Sequence, residues 1–174
     1  MKQSKKVSFS AILAALAVIV MLIGSVVETV TLATAGIASL CIMIAVLELG
    51  KTYAFMIYAA ASVLALLLLP VKDPAIFFAL SFGYYPILKL LIEKIKNKIV
   101  AYALKGCVFT AAFSALFLIA IKFLVPNANL TKYAIVWYLF GLLIFFAFDY
   151  AFSKLIRSYF FSLRKRLGID KLLK

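Results

Sequence analysis

Six long apolar segments, separated by short polar links, make up most of the chain. They lie at about Ser8–Val27, Leu32–Leu49, Tyr53–Pro70, Pro74–Ile95, Ile99–Leu124 and Thr131–Ile156. Each is close to the ~20 residues that a helix needs to cross a hydrocarbon core. Helices are expected because lipid offers no partner to open backbone groups, and continuous runs lack the alternation of a membrane β-barrel. The pattern predicts an all-α fold, a six-transmembrane-helix bundle.

The links and one interruption refine this prediction. Residues Lys72–Pro74 predict a tight turn whose proline suits the first turn of a helix. Residues Pro126–Asn129 predict a second turn before Thr131, a suitable N-cap. Within the fourth segment, Gly83–Pro86 interrupts the apolar run. Pro86 lacks a backbone donor, so we expect a kink there.

The basic residues orient the predicted bundle. The chain carries 19 Lys and Arg but only 6 Asp and Glu, and its mean hydropathy is +1.16, outside the range of soluble domains. With both termini cytoplasmic, sixteen basic residues lie on the cytoplasmic side and three on the outer side, namely Lys72, Lys122 and Lys132. An odd number of spans would destroy this split. Together with sixteen Lys to three Arg, this favours a bacterial plasma-membrane protein.

The chain divides into a six-span membrane domain, residues 1–157, and a basic tail, residues 158–174. In the tail, Tyr159, Phe160, Leu163, Leu167 and Leu173 alternate roughly with Arg164, Lys165, Arg166 and Lys171. This pattern predicts a short amphipathic helix on the inner leaflet, where basic residues gain from anionic lipid. Docking of a cytoplasmic partner is the alternative interpretation.

Residue types needed for common catalytic chemistry are missing from the sequence. There is no histidine, and no GxxxxGK[ST] loop for ATP. The two cysteines, Cys41 and Cys107, lie in apolar segments without a CxxC pattern and predict buried thiols, not a metal or disulfide pair. We expect no enzymatic activity, no cofactor, no metal and no nucleic acid. Any active transport would take its energy from a partner or an ion gradient.

A polar layer is predicted near the cytoplasmic ends of the helices. It contains Glu48, Lys89, Glu93, Lys105 and Asp149. An unpaired charge at the depth of Asp149 would cost ~2.5–3.5 kcal/mol or more, so we expect it to face inward and pair with Lys105 or Lys89. Two interpretations stay open: a buried latch between helices, or a gate or coupling surface.

A second group of polar and aromatic residues lies toward the predicted outer side. The substrate-binding candidates are Glu28, Thr31, Lys72, Asp73 and Asn127 in the links, with Tyr84, Tyr85 and Trp137 deeper. Because the outer links converge on one face of a six-helix bundle, these residues could line a cavity. Ordinary solvated turns and a simple proline kink are the alternative.

The first predicted helix carries small residues at helical spacing. Ala11 and Ala15 are four residues apart, Ser8 lies one turn earlier, and Ala14 and Ala17 widen the small-residue face. Small residues let two helices approach closely in lipid. The face therefore predicts helix packing, either against a partner protein or within the chain itself.

These features resemble the substrate-binding S component of an energy-coupling factor (ECF) transporter. The similarity rests on the length, six spans, the lysine-rich start, the alanine-rich segment Ser8–Ala17, the segment Leu49–Lys51 and the small residues Ala59–Ser62. The resemblance implies that the protein binds a small nutrient from outside and assembles with a transmembrane coupling subunit and two ATPases. It also implies that Ala11 and Ala15 dock onto the coupling subunit.

Two other functions fit the same sequence. A small polytopic scaffold of cell-elongation or cell-wall machinery would need lateral helix surfaces and a filled interior. A lipid or polyprenyl carrier would need a lateral opening that reaches Asp149.

Overall fold

The computed structural model describes residues 3–93, 95, 97–119 and 134–159. These ranges contain helices and turns and no strand, as the sequence predicts. The α-helices are α1 (Gln3–Val26), α2 (Thr31–Glu48), α3 (Lys51–Leu68), α4 (Asp73–Phe77), α5 (Tyr85–Ile92), α6 (Lys98–Ile119) and α7 (Ala134–Ser158). The chain forms two compact units, residues 6–117 and residues 1–5 with 118–174.

Six helical stretches in the described ranges are long and apolar enough to cross a membrane. They are Gln3–Val26, Thr31–Glu48, Lys51–Leu68, Asp73–Ile92, Ile99–Leu116 and Leu139–Ser158. The prediction of six spans is confirmed at this level, and the ends of the first four spans lie within a few residues of the predicted ones. The six stretches indicate a multi-pass membrane protein.

Small residues build the interior of the unit formed by residues 6–117. The core contains Ala14, Ala17 and Met21 of α1 together with alanines of the next two helices, namely Ala35, Ala38, Ala45, Ala54, Ala61 and Ala65. Many large apolar side chains are exposed instead, among them Ile12, Ile19 and Leu67. Such a distribution suits lipid, where close backbone packing stabilises helix pairs and large apolar side chains are solvated by acyl chains.

The corner between α1 and α2 is tight because Gly24 has no side chain. A Cβ atom on Gly24 would lie 1.8 Å from the Thr34 Oγ1 atom. A 3₁₀ turn over Glu28–Val30 connects the two helices. The Thr31 hydroxyl donates to the Gly24 carbonyl over 3.3 Å, and the Thr34 hydroxyl donates to the Thr31 carbonyl over 2.9 Å. Glycine and two threonines thus fix this corner.

Gly50 makes the turn from α2 to α3. Its φ of 92° and ψ of 175° lie in a region that L side chains rarely adopt. Its N–H donates to the Ala45 carbonyl over 3.1 Å, which satisfies an acceptor at the end of α2. The glycine is required here by the backbone, since no atom lies within 4 Å of where its Cβ would be.

We expect Gly50→Ala to lower the free energy of unfolding by about 1–2 kcal/mol, the usual cost of a strained backbone conformation. The matched control is Gly106→Ala on α6, where a Cβ also meets nothing within 4 Å but φ is ordinary. That change should be neutral or slightly stabilising, because alanine favours helix. Denaturant titrations in detergent measure both. Equal effects of the two changes would refute the backbone explanation.

The fourth span is broken in its middle, which confirms the predicted kink. After α4 the backbone forms a π-helix over Phe78–Phe82, closed by a Gly83 N–H to Phe78 carbonyl bond of 2.7 Å. The chain bends at Gly83 and Tyr84, and α5 begins with Pro86 in its first turn. Pro86 cannot donate to a preceding carbonyl, so the helix restarts where proline is tolerated.

In the second unit the described structure is mainly α7. Its buried side chains include Phe145, Asp149 and Phe152, which share one helix face by their spacing of four and three residues. Leu139, Leu143 and Tyr150 are exposed. Several predictions lie outside the described residues: the turn at 126–129, the N-cap at Thr131, Asn127 and the tail beyond Tyr159.

Candidate functional site

Three members of the predicted polar layer meet in the unit formed by residues 6–117. The Nζ atom of Lys89 on α5 lies 3.7 Å from the Oε1 atom of Glu93, just after the end of α5. The Nζ atom of Lys105 on α6 lies 3.7 Å from the same oxygen. We call these three residues the lysine–glutamate cluster. It joins α5 to α6 through one carboxylate.

Aromatic rings accompany both amines of the cluster. The Lys89 amine lies 5.8 Å from the centre of the Tyr85 ring, and the Lys105 amine lies 5.6 Å from the centre of the Tyr102 ring. Both distances are within the range of cation–π attraction. Lys89 is fully buried and Lys105 nearly so, which makes the positions of both amines strongly determined by their surroundings.

The other two members of the predicted layer are Glu48 and Asp149. Glu48 is the last residue of α2 and is half-buried. Asp149 lies on α7 in the second unit and is buried, with the Ser153 hydroxyl donating to its backbone carbonyl over 2.9 Å. The pairing of Asp149 with Lys105 or Lys89 stays a prediction.

The substrate-binding candidates in the links are placed as follows. Lys72 directs its amine to the end of α3, where it donates to the Leu69 and Leu67 carbonyls. Thr31 is held at the α1–α2 corner described above. Asp73 begins α4 and is half-buried, and Glu28 begins the 3₁₀ turn. Lys72 and Thr31 therefore stabilise helix ends, a role that the sequence alone did not indicate. Trp137 lies on α7, in the second unit.

The two tyrosines of the bend have different surroundings. Tyr85 is buried and its ring lies near the Lys89 amine, so it belongs with the lysine–glutamate cluster. Tyr84 is half-buried and packs edge-on against Tyr58, with ring centres 6.3 Å apart. The prediction grouped Tyr84 and Tyr85 together, and the bend separates them.

Tyr58 of α3 is not among the residues predicted from the sequence. Its hydroxyl donates to the Ala79 carbonyl over 2.7 Å. In an α-helix the Gly83 N–H would bond to that carbonyl, but the π-helix directs it to Phe78 instead. The Tyr58 ring also lies where a Cβ of Gly83 would be, at 2.7 Å. No local signal in α3 indicates this role, since the partner is 21 residues away.

We expect Tyr58→Phe to lower the free energy of unfolding by about 1–3 kcal/mol, because the Ala79 carbonyl loses its donor in an apolar surrounding. Tyr102→Phe is the matched control, as Tyr102 is exposed on α6. Thermal unfolding in detergent measures the difference. A Tyr58→Phe protein as stable as the control would show that the hydroxyl contributes nothing to the bend.

The small-residue face of α1 is divided between the interior and the exterior. Ala11 and Ala15 are exposed, as is Ser8. Ala14 and Ala17 are buried in the core. The prediction that Ala14 and Ala17 widen the face of Ala11 and Ala15 is wrong, because Ala14 and Ala17 pack into the core of their own unit.

The cysteines are both free. Cys41 is buried in α2, as predicted. Cys107 is exposed on α6, so the prediction of a buried thiol there is wrong. An apolar sequence neighbourhood is typical of a lipid-facing helix surface as well as of a protein core, and hydropathy alone does not distinguish the two.

Comparisons of the chain with protein-family models, curated proteins and solved structures gave no match.

Proposed function

We propose that this protein is a membrane-embedded subunit that binds a small nutrient and takes part in its uptake in an ECF-type transporter, energised by partner ATPases. The observation that carries the proposal is the exposed position of Ala11 and Ala15 on α1. Two alanines one turn apart form a shallow strip on which another helix can pack closely. In this proposal the strip contacts the transmembrane coupling subunit.

The neighbouring surface of α1 supports a docking function. Ile12, Leu16 and Ile19 are exposed beside the alanine strip. The same helix packs into the core through Leu13, Ala17 and Met21. A helix that is fixed on one side and carries small residues on the other offers a rigid contact. Binding of a partner therefore loses little conformational entropy in this helix.

The proposed solute site lies at the end of the unit where α2 and α4 begin. Thr31 and Asp73 lie at the starts of these helices, and the Lys72 amine is fixed on the end of α3. These groups would offer a hydroxyl, a carboxylate and an amine from pre-arranged positions. Such a set would suit a small polar nutrient bound from outside.

A scaffold of cell-elongation or cell-wall machinery is the second candidate. It is favoured by one observation: the Tyr58 hydroxyl is engaged by the Ala79 carbonyl, and its ring packs against Tyr84 of the same unit. A protein that works only through lateral helix surfaces would have such a filled interior. Both functions use the exposed strip of α1, and they differ in whether a solute is bound.

Mass spectrometry of small molecules extracted from the purified protein tests the difference. The transporter proposal expects one metabolite in stoichiometric amount, lost when Asp73→Asn and Thr31→Val are combined. A Lys51→Gln protein, changed at an exposed lysine of α3, is the control and should retain it. Absence of any enriched metabolite from protein purified out of its native membrane would favour the scaffold.

A further inference from the structure

The lysine–glutamate cluster places two amines around one carboxylate oxygen. Lys89 and Lys105 come from different helices, α5 and α6, and each Nζ atom lies 3.7 Å from Oε1 of Glu93. A single acceptor group at that position therefore contacts both lysines at once. This is the arrangement by which proteins bind a carboxylate or a phosphate, for which lysine acts as a point charge.

The contact between Glu93 and the two lysines is loose. Charge-assisted N–H···O bonds are about 2.7–2.9 Å long, well below the observed 3.7 Å. The Glu93 side chain is also 43% exposed, whereas that of Lys89 is fully buried. The carboxylate can therefore leave toward solvent at small cost, while the amines cannot.

Both lysines have contacts besides Glu93. Each lies near an aromatic ring, Tyr85 or Tyr102, and each makes at least one further interaction besides those already given. The two amines are thus held by their surroundings and not by Glu93 alone. Two fixed amines with a displaceable carboxylate between them have the properties of an anion-binding site. In this structure the side chain of Glu93 occupies that site.

We propose that Lys89 and Lys105 form a binding site for one anionic group, a carboxylate or a phosphate, and that Glu93 occupies this site when no ligand is bound. The ligand enters from the exposed side of Glu93 and displaces its carboxylate. The site lies where α5 ends, away from Thr31 and Asp73 at the start of α2 and α4. It does not depend on the transporter proposal.

Replacement of Glu93 distinguishes this site from a structural latch. Glu93→Gln removes the competing charge, so half-maximal stabilisation by inorganic phosphate should need about tenfold less phosphate than in the unchanged protein. If the cluster is only a structural latch, Glu93→Gln lowers the unfolding midpoint and phosphate does not raise it again. The measurement is the unfolding midpoint in detergent across a phosphate series, with chloride at equal ionic strength as reference.

Two further variants keep the test decisive if Glu93→Gln folds poorly. Lys105→Gln should raise the phosphate concentration needed by at least about tenfold, because one of the two amines is gone. Lys51→Gln, at an exposed lysine of α3, is the matched control and should leave the phosphate response unchanged. Equal responses of these two variants, or equal effects of chloride and phosphate, would overturn the proposal.

A second experiment, with lipid, shows whether the anion is a lipid headgroup or a soluble ion. The protein is placed in nanodiscs of phosphatidylcholine with or without phosphatidylglycerol, and lipid retained after detergent release is counted by native mass spectrometry. Retention of one phosphatidylglycerol, increased by Glu93→Gln and lost in Lys105→Gln, assigns the site to a lipid headgroup. A phosphate response without such retention assigns it to a soluble anion. Absence of both the phosphate response and the phosphatidylglycerol retention would refute the site.

Discussion

Replacing Gly24 with alanine is expected to lower the free energy of unfolding by about 2–3 kcal/mol, the upper range for an overpacked site. The new Cβ would lie 1.8 Å from the Thr34 Oγ1 atom and 2.9 Å from the Thr34 Cβ atom. Neither atom is the end of a flexible chain, so α1 and α2 must move apart. Denaturant unfolding in detergent measures the loss, with Gly106→Ala as the control that adds the same methyl group to open space.

A second substitution tests the assigned contact itself. In a Thr34→Ala background the Oγ1 atom is gone but the Cβ atom remains, so the cost of Gly24→Ala should fall without disappearing. If Gly24→Ala costs the same in both backgrounds, the α1–α2 contact is not the cause. If Gly24→Ala lowers the free energy of unfolding no more than Gly106→Ala does, α1 and α2 do not approach closely at Gly24.

Ala15→Trp is expected to remove assembly with the proposed coupling subunit while the fold remains intact, and Ala11→Trp should do the same. An indole on the exposed strip of α1 would prevent close approach of a partner helix, and it meets no core atom because Ala15 and Ala11 are exposed. We expect recovery of partner proteins to fall at least about tenfold, which corresponds to about 1.4 kcal/mol of lost contact energy.

The control for this prediction is Ala60→Trp. Ala60 is also an exposed alanine within a predicted span, but it lies on α3. Quantitative co-purification from mild detergent, with thermal unfolding to check the fold, compares the three variants. Undiminished partner recovery by Ala15→Trp and Ala11→Trp would refute docking through the strip. A parallel loss in Ala60→Trp would show a nonspecific effect of tryptophan.

The sequence was sufficient to predict the helices and the position of the bend. Continuous apolar runs of about 20 residues have few alternatives in lipid, so six spans followed directly from hydropathy. The bend followed from Pro86, because a missing N–H acts locally whatever surrounds it. Gly83 was part of the same motif, although its close contact with Tyr58 could not be read from the sequence.

The sequence could not show which groups face one another. Tyr58 bonds to a carbonyl 21 residues away, and the need for that bond arises only from the π-helix. In the predicted polar layer, the Lys89–Glu93 contact follows from a spacing of four residues, whereas the Lys105–Glu93 contact joins two helices and could not be read from the sequence. The sequence does not distinguish the alanines of α1 from one another. Only the packing shows that Ala11 and Ala15 are exposed whereas Ala14 and Ala17 are buried.

We propose that this multi-pass protein works as the solute-binding part of a larger transporter. Affinity isolation of the tagged protein from its native membrane in mild detergent, with identification of bound proteins by mass spectrometry, tests it most directly. We expect a transmembrane coupling subunit with two ATPases, present with the unchanged protein and depleted with Ala15→Trp. Recovery of cell-elongation or cell-wall proteins without any ATPase would contradict it.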